Sequence, residues 1–306
     1  MTGQAIQTSF GQVIRSTAQN SDLTIIGDSN HSKVEIRNDA MNTESLIAMA
    51  ETGVTHLFVE VDQTLQPLAD DLIQNKSSPD AKEKFSRAFY EEYGDAKGNE
   101  TGAYTRQLID TILTADRLGI QVHFANPANG REESNAAEEY AENNLDDEEG
   151  IKAKYEIANK ARFNDQQLAE FINQTAKGEK SVVIYGSSHA SRFGDFEKFY
   201  EGSTAKIDIY NNVSEYAQQI KVYDDVSSKD LRFNEDKPEM VYFKEGQTAL
   251  PTYNTPPEVL KDLSRNGKLI DSPAPREGTE ITDPALIQKP AANAPLYLST
   301  GTSGPI

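Results

Sequence analysis

The chain has no cysteine and no tryptophan, only four histidines, and 30 basic residues against 49 acidic ones. Without cysteine there can be no disulfide, no thiol nucleophile and no thiolate metal site. A formal net charge of -19 argues against nucleic acid or anionic lipid as a general partner, because both reward positive surface. No Lys/Arg run is long enough to make a basic patch. No stretch approaches the ~20 consecutive apolar residues of a membrane-spanning helix, so no membrane span is expected. The first 22 residues are polar and lack the apolar core of a signal peptide. Cytoplasmic residence is therefore the expectation, with export by a signal-less bacterial route as the alternative.

Hydrophobic residues make up 37% of the 306 positions, and the mean hydropathy is -0.64. Both values are low for one compact body, so part of the length should lie outside the core. Ten of the 13 prolines fall between Pro238 and Pro305, and proline is denied helix interiors and central strands. The reading is an α/β domain over 1–225 and a C-terminal extension over 226–306, extended or disordered in part. Val241–Lys244 stands in that extension as an isolated strand candidate. The Pro-rich tail is a candidate contact for a protein partner. Within 132–149, nine of 18 residues are acidic; a solvated face or loop is the plain reading, and a lid repelling anionic substrates the sharper one.

Four short apolar runs rich in β-branched residues read as buried parallel strands: Leu23–Ile26, Thr55–Val61, Ile120–Phe124 and Ser181–Tyr185. Lys206–Tyr210 is a fifth. Between them run helical stretches over Val34–Glu51, Leu65–Tyr93 and Tyr104–Leu118, then a long polar one from Ser134 to Lys177. Strands alternating with helices predict an α/β fold with a central, mostly parallel sheet flanked by helices.

Two strand ends share a local pattern. Leu23–Ile26 runs into Gly27-Asp28-Ser29-Asn30-His31, and Val182–Tyr185 runs into Gly186-Ser187-Ser188-His189. Glycine turns at strand ends are where open α/β sheets hold ligands, and half of the chain's histidines sit there. In Leu57-Phe58-Val59-Glu60-Val61-Asp62, the strand period of two puts Phe58, Glu60 and Asp62 on one face. A carboxylate near a buried strand end is costly to desolvate and calls for a cationic or metal partner. Capping of the next helix is the plainer role, more for Asp62 than for Glu60. His56 opens a strand and belongs at the opposite end, in a structural role. His123, three residues before Asn126, reads as a core or supporting residue.

Histidine, glutamate and aspartate are ligand types for Zn or Mn. The same set also works without metal, with a histidine as general base toward water and a carboxylate holding it. Either way the expected class is hydrolysis of a small-molecule or peptide substrate. Asp28, Ser29, Asp62, Asn126 and Ser188 border these positions and are the expected substrate contacts.

The Gly27-Asp28-x-x-His31 segment, the strand-borne Val59-Glu60, and the helix Lys160-Ala161-Arg162-Phe163-Asn164-Asp165-Gln166-Gln167-Leu168-Ala169-Glu170-Phe171-Ile172 leading into Val182–His189 together resemble the erythromycin esterase, ChaN, TraB and Tiki superfamily. The resemblance covers about residues 20–210 and rests on the order of short motifs. It implies an α/β fold with a site of His31, Glu60, Arg162 and His189, Arg162 clamping a carboxylate or carbonyl. Members include esterases, metal-dependent proteases and haem-binding proteins. The implied cofactors are a divalent metal (Mn, Zn or Co) on His31, Glu60 and His189, or haem. Asp28 stands where the esterases favour glutamate, which shortens its reach. A non-catalytic haem- or ligand-binding protein of the ChaN type is one alternative.

A GDSL-type serine esterase with Ser29 as nucleophile is the other. That pattern needs a Gly-x-Asn-Asp block and a late Asp-x-x-His. Here Arg162 precedes Asn164-Asp165 at the glycine's place, and Gly186 stands three residues before His189.

Overall fold

The computed structural model describes residues 6–28, 34–94, 99–128, 165–186, 196–217 and 240–251. Eight strands form one sheet: β1 (Ile6–Gln7), β2 (Leu23–Asp28), β3 (His56–Asp62), β4 (Gln121–Asn126), β5 (Ser181–Gly186), β6 (Thr204–Tyr210), β7 (Met240–Phe243) and β8 (Thr248–Pro251), in the order β1-β8-β7-β6-β2-β5-β3-β4. The six strands from β7 to β4 are parallel, and β8 and β1 join antiparallel at the β7 side. The expected mostly parallel sheet with flanking helices is the observed fold.

The strands alternate between two cores, as their period of two requires. Ile26, Leu57, Val59, Val122, Phe124, Val182, Ile184 and Ile207 face a cluster built on helices α1 (Phe10–Ala18), α2 (Val34–Met41), α3 (Thr43–Glu51), α4 (Gln66–Gln74), α5 (Pro79–Tyr93) and α6 (Asn99–Arg117). Leu23, Ile25, Phe58, Ala125, Val183 and Tyr185 face the opposite way, onto Leu168, Ala169 and Ile172 of α7 (Asp165–Ala176) and onto Phe196. Covered on both faces, β2 and β5 are buried at every position, which is why they read as unbroken apolar runs.

The turns that return helices to strands follow one design. Gly53, Gly119 and Gly178 stand just past α3, α6 and α7 with φ of 84°, 77° and 85°. This left-handed backbone closes the helix C-terminus and suits only glycine without strain.

Several expected elements are finer than the periodicity predicts. Val34–Glu51 is two helices, because the Asn42 side chain accepts the Ser45 N–H at 2.9 Å and starts α3 afresh. Leu65–Tyr93 is likewise broken before Pro79, which occupies the first turn of α5. The isolated strand expected over Val241–Lys244 is β7, Met240–Phe243, and it pairs with β6 on one side and β8 on the other. The acidic segment 132–149 and the chain from 252 onward lie outside the described residues. No described helix is long and apolar enough to cross a membrane.

β4 ends the described sheet on its side, and its outward backbone groups are met by one side chain. Gln66 accepts from Phe124 N at 2.7 Å and donates to Val122 O at 3.2 Å, standing in for a further strand. Gln66→Ala leaves both buried groups without this partner and should cost about 1–3 kcal/mol, read from urea denaturation.

Candidate functional site

Strands β2, β5 and β3 lie side by side, with Asp28 opposite Gly186 in the parallel register of β2 and β5. The chain leaves β2 toward β3, past β5, whereas it leaves β5 in the other direction, past β2, to reach β6. The β2 connection, with α2 and α3, packs on one face of the sheet and the β5 connection, with Phe196, on the other. Connections leaving neighbouring strands for opposite faces open a crevice at the strands' carboxyl ends, the usual ligand position of such sheets.

The group that organises this edge is an arginine that the sequence reading did not single out. Arg37, on α2, donates its Nε–H to Asp28 Oδ2 at the end of β2. Its Nη2 lies 3.6 Å from Glu60 Oε2 on β3. The Tyr104 ring of α6 covers the guanidinium, 5.0 Å from Cζ to the ring centroid. The side chains are withdrawn from water: 10% of Arg37, 1% of Asp28 and 8% of Glu60 remain exposed. A guanidinium suits this place because its planar fork serves two carboxylates while its face stacks on an aromatic ring. Burial works against the Arg37 charge, but Tyr104, Asp28 and Glu60 outweigh it and hold the group above its ordinary range. Burial also raises the Tyr104 phenol, with Arg37 pulling the other way.

Glu60 reaches Arg37 through an irregularity in its strand. The β3–β4 register shifts between Val59 and Asp62, an extra residue on β3. Such bulges re-aim side chains at strand ends. The period of two that grouped Phe58, Glu60 and Asp62 therefore does not run through: Phe58 packs in the α7 core, while Glu60 turns to the α2 arginine.

Asp62 is buried and holds the next turn in place. Its Oδ1 accepts from Thr64 N at 2.8 Å and from Thr64 Oγ1 at 2.7 Å. Its own N–H donates to the Tyr93 hydroxyl at 2.9 Å, and burial pushes that phenol up. At the end of β4, Asn126 Oδ1 receives the Tyr185 hydroxyl, which also stands 3.0 Å from Ala125 O. Ser29, His31, Arg162, Ser188 and His189 lie outside the described residues.

His56 opens β3, at the opposite end from these carboxylates as expected, and His123 of β4 packs beside it. His56 Nδ1 lies 2.8 Å from His123 Nε2, and His56 Nε2 lies 3.2 Å from Glu179 Oε2. The His56, Phe58 and His123 rings pack against one another in a triangle, with centroids 5.1 Å apart for His56–His123, 4.9 Å for Phe58–His123 and 6.3 Å for His56–Phe58. Burial first, then the neighbouring His56, lowers the His123 imidazole to about 4, with Asp70 opposing.

No protein-family model matches the sequence, and no curated protein matches it. Two solved structures are distantly similar in fold. One is the type III effector HopBA1, at 16% identity and a TM-score of 0.41, covering 68% of this chain and 86% of the effector. The other is ChaN of Campylobacter jejuni, a structure showing cofacial haem binding, at 11% identity and a TM-score of 0.44, covering 67% of this chain and 90% of ChaN.

Among the described residues, no group of three or more His, Asp or Glu side chains is arranged to hold a metal ion. The two carboxylates at the strand ends already hold Arg37, and no described histidine stands beside them. Of the expected metal set His31, Glu60 and His189, the described residues include Glu60 alone, and it stands beside Arg37.

Two predictions follow from these charges. Arg37→Met leaves two buried carboxylates without their cation and should cost about 3–5 kcal/mol in urea denaturation, partly recovered by adding Asp28→Asn. His123 refuses, between pH 6.5 and about 4, a proton that the unfolded chain accepts. Its stabilising effect is thus complete above pH 6.5 and lost as the pH falls toward 4. His123→Gln keeps a donor for His56 and removes the titration, so its melting temperature should decline less steeply with acidification than that of the wild type.

Proposed function

We propose that this chain is a hydrolase that activates water at the carboxyl ends of β2, β5 and β3 and cleaves an ester, lactone or peptide bond. One observation carries the reading. The two strands that run into Gly-x-x-x-His31 and Gly-x-x-His189 are direct neighbours in register, and β3, with its buried Glu60, is the next strand over. Positions 31 and 189 each follow the last residue of a strand by three. A shared sequence pattern on neighbouring strand ends is what a composite site at a crevice requires.

In this reading His31 takes a proton from water as the water oxygen attacks the substrate carbonyl carbon. Glu60 fixes the imidazole and offsets its positive charge. His189 donates a proton to the leaving oxygen or nitrogen as the carbonyl–leaving-group bond breaks, and Arg162 stabilises the carbonyl oxygen. Two carboxylates stand beside one guanidinium at this edge, a setting that suits a neighbour that becomes an imidazolium. A metal on His31, Glu60 and His189 would instead compete with Arg37 for Glu60, so no step is assigned to one.

The test is a panel of p-nitrophenyl esters, lactones and short peptides, with an absorption scan of the protein before and after adding haemin. Hydrolysis should be found, and His31→Ala and Glu60→Gln should each lower kcat/KM by about 10²–10⁴-fold. The His31→Ala melting temperature should stay close to that of the wild type. No turnover on any member, together with a Soret band lost in His31→Ala or His189→Ala, would replace the hydrolase by a haem-binding protein.

A further inference from the structure

We infer that Arg37 is the resident cation of this centre, held between Asp28 and Glu60 in the place that a divalent ion would otherwise take. The inference deepens the metal-free form of the hydrolase reading and rests on that reading for its catalytic meaning alone; the binding it predicts is measured without turnover. Three observations on separate elements converge. Asp28 ends β2 and Glu60 stands at the bulge of β3, so two carboxylates from different strands are turned toward one point. Burying two carboxylates side by side calls for positive charge near them, and the group at that point is the Arg37 guanidinium, hydrogen-bonded to Asp28 and 3.6 Å from Glu60 Oε2. The Tyr104 ring closes the remaining side, 5.0 Å from Cζ. It replaces the hydration of the cation by a π face, which a hydrated metal ion would not accept as a ligand.

The arrangement has a chemical consequence. A metal ion would supply a polarised water and a Lewis acid. A guanidinium supplies neither, and it cannot be deprotonated. It holds Glu60 in place while leaving the proton transfer to an imidazole. Arg37 is in that sense a positioning residue, acting through Glu60. The sequence is compatible with either cation, since aspartate, glutamate and histidine serve both chemistries. Only the fold puts α2 over the two strand ends and so selects the arginine.

The test is calorimetric titration of the full-length protein with Mn²⁺ and with Zn²⁺, together with elemental analysis after dialysis. It is run on wild type, Glu60→Gln, Arg37→Ala, Arg37→Lys and Arg37→Ala/Glu60→Gln, with circular dichroism as the folding check. Wild type and Glu60→Gln should give the same metal response, since Glu60 is already engaged. Arg37→Ala should acquire saturable binding of one ion, which the added Glu60→Gln removes and which Arg37→Lys does not show. Stoichiometric metal in wild type that Glu60→Gln abolishes would overturn the inference. So would a folded Arg37→Ala that gains no binding, because the carboxylates would then not define a cation position. Should Arg37→Ala fail to fold, the comparison of wild type with Glu60→Gln still decides. The ester panel is read separately: absence of turnover removes the hydrolase and leaves the identity of the resident cation as the titration finds it.

Discussion

The central constraint of this molecule is the parallel pairing of β2 with β5. Both strands are buried on both faces, so their backbone groups have no water to turn to and must be met by neighbouring strands. β2 meets this need with β5 on one side and β6 on the other, and β5 meets it with β2 and β3. Once those pairings are made, Asp28, Gly186 and the end of β3 are forced to one edge. The departure of the β2 and β5 connections to opposite faces of the sheet then opens that edge. The location of the candidate site is thus a consequence of hydrogen-bond satisfaction in the sheet.

Charge organises what the sheet has collected. Burying Asp28 and Glu60 is unfavourable for each alone, and Arg37 makes it tolerable for both. The cost is that Arg37 must itself leave water, and Tyr104 meets part of that cost with its ring. Such an array contributes little net stability compared with an apolar core of equal volume. Its worth lies in holding carboxylates in fixed positions, a use consistent with a functional edge. The far part of the sheet shows the opposite solution. There His56 and His123 are stacked on Phe58 and hydrogen-bonded to each other, and His123 stays neutral. The same residue type is a core element in one place and a catalytic candidate in the other.

Much of the fold was legible in the sequence because buried parallel strands leave a local trace. Leu23–Ile26, Ser181–Tyr185 and Lys206–Tyr210 are short β-branched runs, and each is a strand. Glu60 was legible as a buried carboxylate needing a cation, and Asp62 as a cap. The identity of that cation was not. Arg37 lies within a polar helix whose charge pattern shows nothing unusual, and its two carboxylates are nine residues before it and 23 after it. Nor could periodicity reveal the β3 bulge, because an inserted residue in a ladder depends on the partner strand. Val241–Lys244 looked isolated for a related reason: its partners, β6 and β8, become neighbours only when the sheet forms.

The sequence by itself determined the class of fold, the absence of thiol chemistry, and the two strand ends on which histidines follow glycine. These are properties of composition and of local period, which need no partner to be read. The tertiary structure alone decided that those two strands are adjacent, that Arg37 comes to rest between Asp28 and Glu60, and that His56 and His123 meet far from them. Each of these is a contact between residues distant in the chain. Strand order and helix placement follow from how apolar faces and backbone groups are satisfied all together, which no single segment records.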